Sequence, residues 1–280
     1  MSLYGARHRP RVMGILNVTP DSFSDGGQLQ DTDAAVARAA QMLLDGADIL
    51  DVGGESSRPG AARVPAEVQI ARVVPVIRAL RERLPQRPVI SVDTTLRSVA
   101  EAALDAGADL VNDISAARDT PDMLRCVAER AVPIVLMHMQ GEPATMQLAP
   151  HYDDVVAEVT AFLAARAQAA LAAGLQPDQI LLDPGIGFGK RRSDNLALLA
   201  GLDRIVALGY PVLLGASRKR FMGHLCNERE PAELLGATCA TTALAVAAGV
   251  SVVRVHDVKP NRQAADIAWA LRVPAVFEDA

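Results

Sequence analysis

The chain has 280 residues, of which 50% are hydrophobic and 22% charged, with a formal net charge of −5. That composition allows a sizeable core and excludes a disordered chain, and the acidic balance excludes the basic stripe of a nucleic-acid binder. Aromatic residues are only 3%, so the core must be built from Ala, Val, Leu and Ile, the residues that fill parallel barrels.

In chain order, residues 1–10 form a short basic extension with no apolar stretch, unlike a secretory signal. Short β-branched runs then alternate with Ala-rich amphipathic stretches. Strands are expected at 12–18, 49–52, 89–92, 110–112, 134–137, 180–182, 212–214 and 252–255. Most are apolar throughout, the pattern of strands covered on both faces. Helices are expected at 33–45, 66–84, 96–106, 122–130, 155–173, 195–207, 232–248 and 263–271. Several have Pro just before the start and Gly just past the end, as at Pro65, Pro121, Pro231, Gly107, Gly174 and Gly249. No linker or charge block divides the chain, so residues 1–280 read as one domain.

Eight strand–helix units with short connections favour an α/β fold, a single (β/α)8 TIM barrel, over a doubly wound open sheet. The apolar run 243–253 is too short to span a bilayer. Cys126, Cys226 and Cys239 show no CxxC pairing or ligand spacing, so reduced thiols of a cytoplasmic protein are expected.

Active sites of barrels lie at the C-terminal ends of the strands. Here those ends carry Asn17, Asp51, Asp93, Asn112, Asp113, His138, Asp183, Lys219, Arg254 and His256. Singly, such an Asp is often a helix cap and such a His a satisfied core residue. Together they would be costly to bury without partners, so a site is the simpler account. Asp93, Asn112 and Asp183 suit a flat heterocycle with adjacent N–H donors. One nearby His gives poor ligand spacing for zinc. Arg254 and His256 are two apart on a strand and face the same way. With Lys219 they suggest a cationic corner for phosphate, set apart from the carboxylates. The Gly-rich segment 185–190 is neither a Walker loop nor a dinucleotide fingerprint, since Pro184 and Arg191 break the first pattern.

Residues 13–27, MGILNVTPDSFSDGG, and 51–60, DVGGESSRPG, resemble two signatures of the dihydropteroate synthases. Residues 183–188, DPGIGF, 215–219, GASRK, and 254–257, RVHD, match that family in type and order. The resemblance runs from about Arg11 to the last helix. It implies condensation of 6-hydroxymethyl-7,8-dihydropterin pyrophosphate with p-aminobenzoate, giving 7,8-dihydropteroate and pyrophosphate in folate biosynthesis. It also implies that Asp93, Asn112 and Asp183 hold the pterin, with Ile114 and Met137 as walls and Lys219 in contact. Asn17, Arg254 and His256 would take the pyrophosphate, with Asn17 also touching Mg2+. Loops carrying Phe23 and Asp25, and Ser57, Arg58 and Pro59, would close over p-aminobenzoate beside Phe188, with Asp25, Arg58 and Lys219 serving catalysis. Arg220 stands where the family often has Ser, next to the expected carboxylate of p-aminobenzoate. A cytoplasmic homodimer, sensitive to sulfonamides in the family, completes the expectation. A methyltetrahydrofolate-binding methyl-transfer module and an inactive pterin-binding homologue are the rival readings.

Overall fold

In the computed structural model, residues 8–19, 27–56, 63–120 and 122–273 are described, residues 27–31 by their backbone alone. Eight strands alternate with helices: β1 (Arg11–Asn17), β2 (Ile49–Gly53), β3 (Val89–Asp93), β4 (Leu110–Asp113), β5 (Ile134–Met137), β6 (Ile180–Asp183), β7 (Leu213–Leu214) and β8 (Val252–Val255). All paired neighbours are parallel, in the order β6-β5-β4-β3-β2-β1-β8-β7. A parallel bridge between Leu182 and Val212 joins β6 to β7 and closes the ring. Closure excludes the open doubly wound sheet, which would leave two free edges.

Side chains alternate across a strand, so every second residue faces the barrel axis. At the N-terminal end of the barrel, Met13, Ile49, Leu110, Val135, Leu181, Leu213 and Val252 form one buried apolar cluster, with Val89 against it. Two residues further along the same strands stand Ile15, Asp51, Ser91, Asn112, Met137, Asp183, Gly215 and Arg254. The interior thus turns from an apolar plug to a polar floor within one pleat. The outward-facing set, including Leu50, Val52, Ile90, Val92, Val111, Leu136, Leu182 and Val253, belongs to the main core with the helices. Each such buried side chain contributes about 1.5–3 kcal/mol, which is what holds the polar layer in place.

The helices are α1 (Gly27–Leu44), α2 (Ala66–Arg83), α3 (Arg97–Asp105), α4 (Met123–Glu129), α5 (Val155–Ala172), α6 (Arg192–Ala200), α7 (Leu202–Val206), α8 (Arg220–Cys226), α9 (Leu235–Ala248) and α10 (Val258–Arg272). Four differ from expectation, among them α1, which begins six residues before its expected start at 33. The helix expected at 195–207 is two, α6 and α7, broken at Gly201. A Cβ there would lie 2.9 Å from Val156 of α5, so the break lets the two helices approach closely. Next, α8 has only seven residues and ends at Asn227 in the left-handed conformation, too short for its periodicity to stand out. Finally, α10 begins five residues before its expected start, because Pro260 falls in the first turn, where a missing N–H costs nothing.

By length and composition α5 is apolar enough to cross a membrane. In the fold it buries Val155, Val156, Val159, Leu163, Ala167 and Ala170, and Asp154 Oδ1 caps it by accepting from Val156 N and Ala157 N.

Candidate active site

The polar floor is built around a buried ion-pair cluster. Arg254 reaches across the barrel from β8. Its Nε donates to Asp51 Oδ2 at 2.6 Å and its Nη2 to Asp93 Oδ2 at 2.7 Å. Asn112 Nδ2 donates to the same Asp51 oxygen at 3.0 Å. Asp51 is fully buried, and its Oδ1 has no protein hydrogen bond. Burial opposes the charge on Arg254, but Asp51, Asp93 and Asp183 outweigh it and raise its pKa.

This corrects the expected separation between a cationic corner and the carboxylates. β8 neighbours β1, which neighbours β2, and a side chain as long as Arg254 spans that distance inside a narrow barrel. Asp51, named among the polar strand ends, was given no role of its own. Its signal was a charged residue at the inward parity of an otherwise apolar strand.

Asp183 ends β6. Its Oδ1 accepts from Gly185 N at 2.7 Å, and its Oδ2 lies 3.8 Å from where a Cβ of residue 215 would stand, so glycine there leaves it uncovered. Burial pushes the Asp93 carboxyl up to about 7 and the Asp183 carboxyl up to about 6. Arg254 opposes the first shift; Gly185 N–H and the cations Lys219, Lys190 and Arg254 oppose the second.

Lys219 lies over the Phe188 ring, 4.1 Å from Nζ to its centroid, and burial pulls its pKa down to about 8. His256 Nδ1 is 3.0 Å from Ser217 Oγ, and burial with Arg254 and Arg218 lowers its pKa to about 3. It is neutral at physiological pH, so it acts by hydrogen bonding rather than as a cation. Arg218 pairs with Asp257 at 2.7 Å, tying the β7–α8 loop to the end of β8.

A cavity of about 700 Å³ opens above this floor, lined by Asn17, Phe188, Lys219, Arg220, Arg254 and His256 among others. Met137, Met139, Met146 and Phe188 form one apolar cluster beside it, with Ile114 packed against them. The expected walls Ile114 and Met137 are thus joined by two methionines not foreseen from the sequence. Asp93, Ile114 and Met139 line a smaller adjoining cleft. Asn112, Asp183 and Met137 lie deeper and line neither. Phe23, Asp25, Ser57, Arg58 and Pro59 lie outside the described residues. The stems of the segment that carries the last three are joined through Glu55, whose Oε1 accepts from Val64 N at 2.6 Å.

The chain that builds this barrel mouth is similar to a known group of proteins. The profile described as "Pterin binding enzyme" matches residues 13–256. A dihydropteroate synthase of Synechocystis sp. is 45% identical over 270 residues, 96% of this chain and 93% of that one. That of Escherichia coli is 46% identical over 255 residues, 91% and 89% of the two chains. The chain belongs to the dihydropteroate synthase family. Among solved members, the Xanthomonas albilineans enzyme with 4-aminobenzoic acid superposes with a TM-score of 0.88 at 48% identity, covering 95% of this chain and 94% of that one. The same enzyme in complex with 7,8-dihydropteroate gives a TM-score of 0.84 at 45% identity, covering 95% of each. Family membership at this coverage sets aside the methyl-transfer reading.

The raised carboxylates give a pH expectation. A carboxylate accepts a ligand N–H more strongly when ionised, and Asp93 and Asp183 take up protons as pH falls through about 7 and 6. Affinity for an unphosphorylated pterin analogue should therefore drop by more than about tenfold between pH 8 and 5.5. Calorimetric titration across that range checks it, and a flat profile would remove both groups from the ligand.

Proposed function

We infer that this chain is a transferase of folate synthesis. It joins 6-hydroxymethyl-7,8-dihydropterin pyrophosphate to p-aminobenzoate, giving 7,8-dihydropteroate and pyrophosphate. The observation that carries the reading is a carboxylate and amide floor held together by Arg254, with Lys219 near its carboxylates, at one barrel mouth.

In this reading Asp93, Asn112 and Asp183 grip the pterin N–H and acceptor edge, and Met137 and Ile114 flank its plane. Asn17, Arg254 and His256 face the pyrophosphate. Asp25 and Arg58 close over the reacting groups. The C–O bond to pyrophosphate breaks first and its electron pair leaves with the phosphate oxygen. The amine of p-aminobenzoate then attacks the delocalised pterin methylene cation, forming the C–N bond and releasing a proton. No strong base is needed, because the aniline nitrogen is already neutral. What the site supplies is fixed positive charge at the departing pyrophosphate, negative charge beside the pterin cation, and exclusion of water.

Among the described residues no group of three or more His, Cys, Asp or Glu side chains is placed to hold a metal. A single amide, Asn17, at a phosphate site fits a magnesium ion that arrives with its pyrophosphate rather than a resident metal. Asn17 would help to hold such an ion, which would neutralise charge on the leaving group.

Phe23, Ser57, Pro59 and Phe188 would enclose the p-aminobenzoate ring. Arg220 is exposed at the start of α8 and lines the cavity. It fits the carboxylate of p-aminobenzoate, beside the first-turn N–H groups of α8. A homodimer is supported by Leu244 on α9 and Ile267 and Leu271 on α10, which are exposed on two helices packed together. A cytoplasmic setting is supported by the free thiols of Cys126, Cys226 and Cys239.

Turnover tests the reading. Incubation with the pterin pyrophosphate, p-aminobenzoate and Mg2+ should yield dihydropteroate and pyrophosphate in equal amounts. Without p-aminobenzoate, pyrophosphate should still leak slowly and reversibly. Absence of dihydropteroate would leave a pterin-binding protein without this activity.

A further inference from the structure

Lys190 follows the Gly-rich segment and has no part in the reaction above. Its side chain is buried, yet no carboxylate is among its hydrogen-bond partners. Nζ lies 2.9 Å from His138 Nδ1, 3.1 Å from Phe188 O and 3.3 Å from His138 O. An ammonium has three N–H donors, and here each has one acceptor. His138 can serve as one because burial, Lys190 and Arg118 hold it neutral, its pKa near 3. Its ring is set by an edge contact to Phe162, with centroids 4.8 Å apart.

Burial lowers the Lys190 pKa to about 7, with Asp183 and Asp194 opposing the shift, and among the described residues no carboxylate is bonded to it. A buried amine so placed is costly, so its retention calls for a reason. The loop it serves has little backbone pairing of its own. Three successive carbonyls are instead taken by side chains from elsewhere: Gly187 O by Gln147, Phe188 O by Lys190 and Gly189 O by Tyr152. The loop also presses on the chain after β5. Gly185 and Gly189 have positive φ, and a Cβ at either would fall 1.9 Å from His138 O or 2.1 Å from Gln140 O. Lys190 is the one charged member of this set and joins both sides of that contact.

We propose that Lys190 is a positioning residue whose ammonium bolts the Phe188 backbone to the end of β5, fixing the Phe188 ring as the p-aminobenzoate wall and as the face on which Lys219 rests. The substrate half of this statement rests on the proposed function; the clamp itself does not. In that reading Asp93 and Asn112 hold the pterin from β3 and β4, outside this loop, so the clamp acts on p-aminobenzoate more than on the pterin.

Two measurements test it. In steady-state kinetics, Lys190→Met should raise KM for p-aminobenzoate about tenfold while kcat and KM for the pterin pyrophosphate stay within about threefold. Tyr152→Phe removes the neighbouring bond and should raise the same KM about threefold, which keeps the idea testable if Lys190→Met does not fold. In fluorine NMR of protein labelled with fluorophenylalanine, the Phe188 resonance, assigned through Phe188→Leu, should be single and sharp. It should shift or split in the folded Lys190→Met protein, or in Tyr152→Phe if that protein does not fold. An unchanged Phe188 resonance, or equal losses toward both substrates, overturns the clamp. Wild-type enzyme that makes no dihydropteroate overturns the functional reading instead, and the NMR result then decides the clamp alone.

Discussion

Replacing Arg254 with Met should destabilise the folded chain by about 3–5 kcal/mol at pH 8 and lower turnover by about a thousandfold. Arg254 is the cation bonded to Asp51, which is fully buried, and to Asp93, whose side chain is 11% exposed. Met fills the volume but leaves two carboxylates, one of them fully buried, without the cation they shared. The pH dependence carries a definite sign. Without the guanidinium the folded-state pKa of Asp93 rises further above its unfolded value. The folded state then binds its proton more tightly, so the variant should recover stability as pH falls from 8 toward 5.5. Denaturant unfolding at the two pH values checks both parts. A variant as stable as the parent at pH 8 would mean that the cluster relaxes at little cost. The variant should also lose affinity for an unphosphorylated pterin as well as for pyrophosphate, since Arg254 touches the carboxylate that is to hold the ring. Were Arg254 a phosphate ligand alone, the unphosphorylated pterin would bind as before.

The second large effect belongs to Asp183→Asn, which should weaken pterin binding about a hundredfold, equivalent to about 2–3 kcal/mol, while leaving the fold intact. The backbone settles which way the amide turns. Gly185 N donates to Oδ1 at 2.7 Å, so Asn keeps its oxygen there and turns its NH2 to the open side beside Gly215. A donor then meets the ligand's donor. Stability moves the other way. The Asp183 pKa is raised, to about 6. The parent therefore loses stability as pH rises from the unfolded carboxylate value through about 6, and at pH 8 it carries the whole of that cost. The neutral amide does not, so Asp183→Asn should melt no lower than the parent at pH 8. Calorimetry with a pterin analogue, beside thermal unfolding, separates the two effects. Unchanged affinity would remove Asp183 from the pterin site.

The sequence by itself determined the eightfold βα alternation, because apolar β-branched runs and Pro/Gly-bounded helices are local signals. It also determined which strand ends are polar, and hence the rim where the site lies. That Asp93, Asn112, Asp183, Lys219, Phe188 and Arg254 gather at one end of the barrel was legible from their places after strands and from the family signatures. The pairing of Arg254 with Asp51 and Asp93 was not legible. It joins residues 161 and 203 positions apart, and which inward-facing side chains meet depends on barrel stagger and on the reach of an Arg across β1. Lys190 was hidden for a similar reason. The segment 185–190 fits neither phosphate-binding pattern, which left Lys190 without a role, and only packing against His138 reveals it as buried. The methionine wall formed by Met139 and Met146 depends on a loop folding back, which no periodicity encodes. Local chemistry thus fixed what kind of groups stand at the barrel mouth, and closure of the barrel decided which of them hold one another.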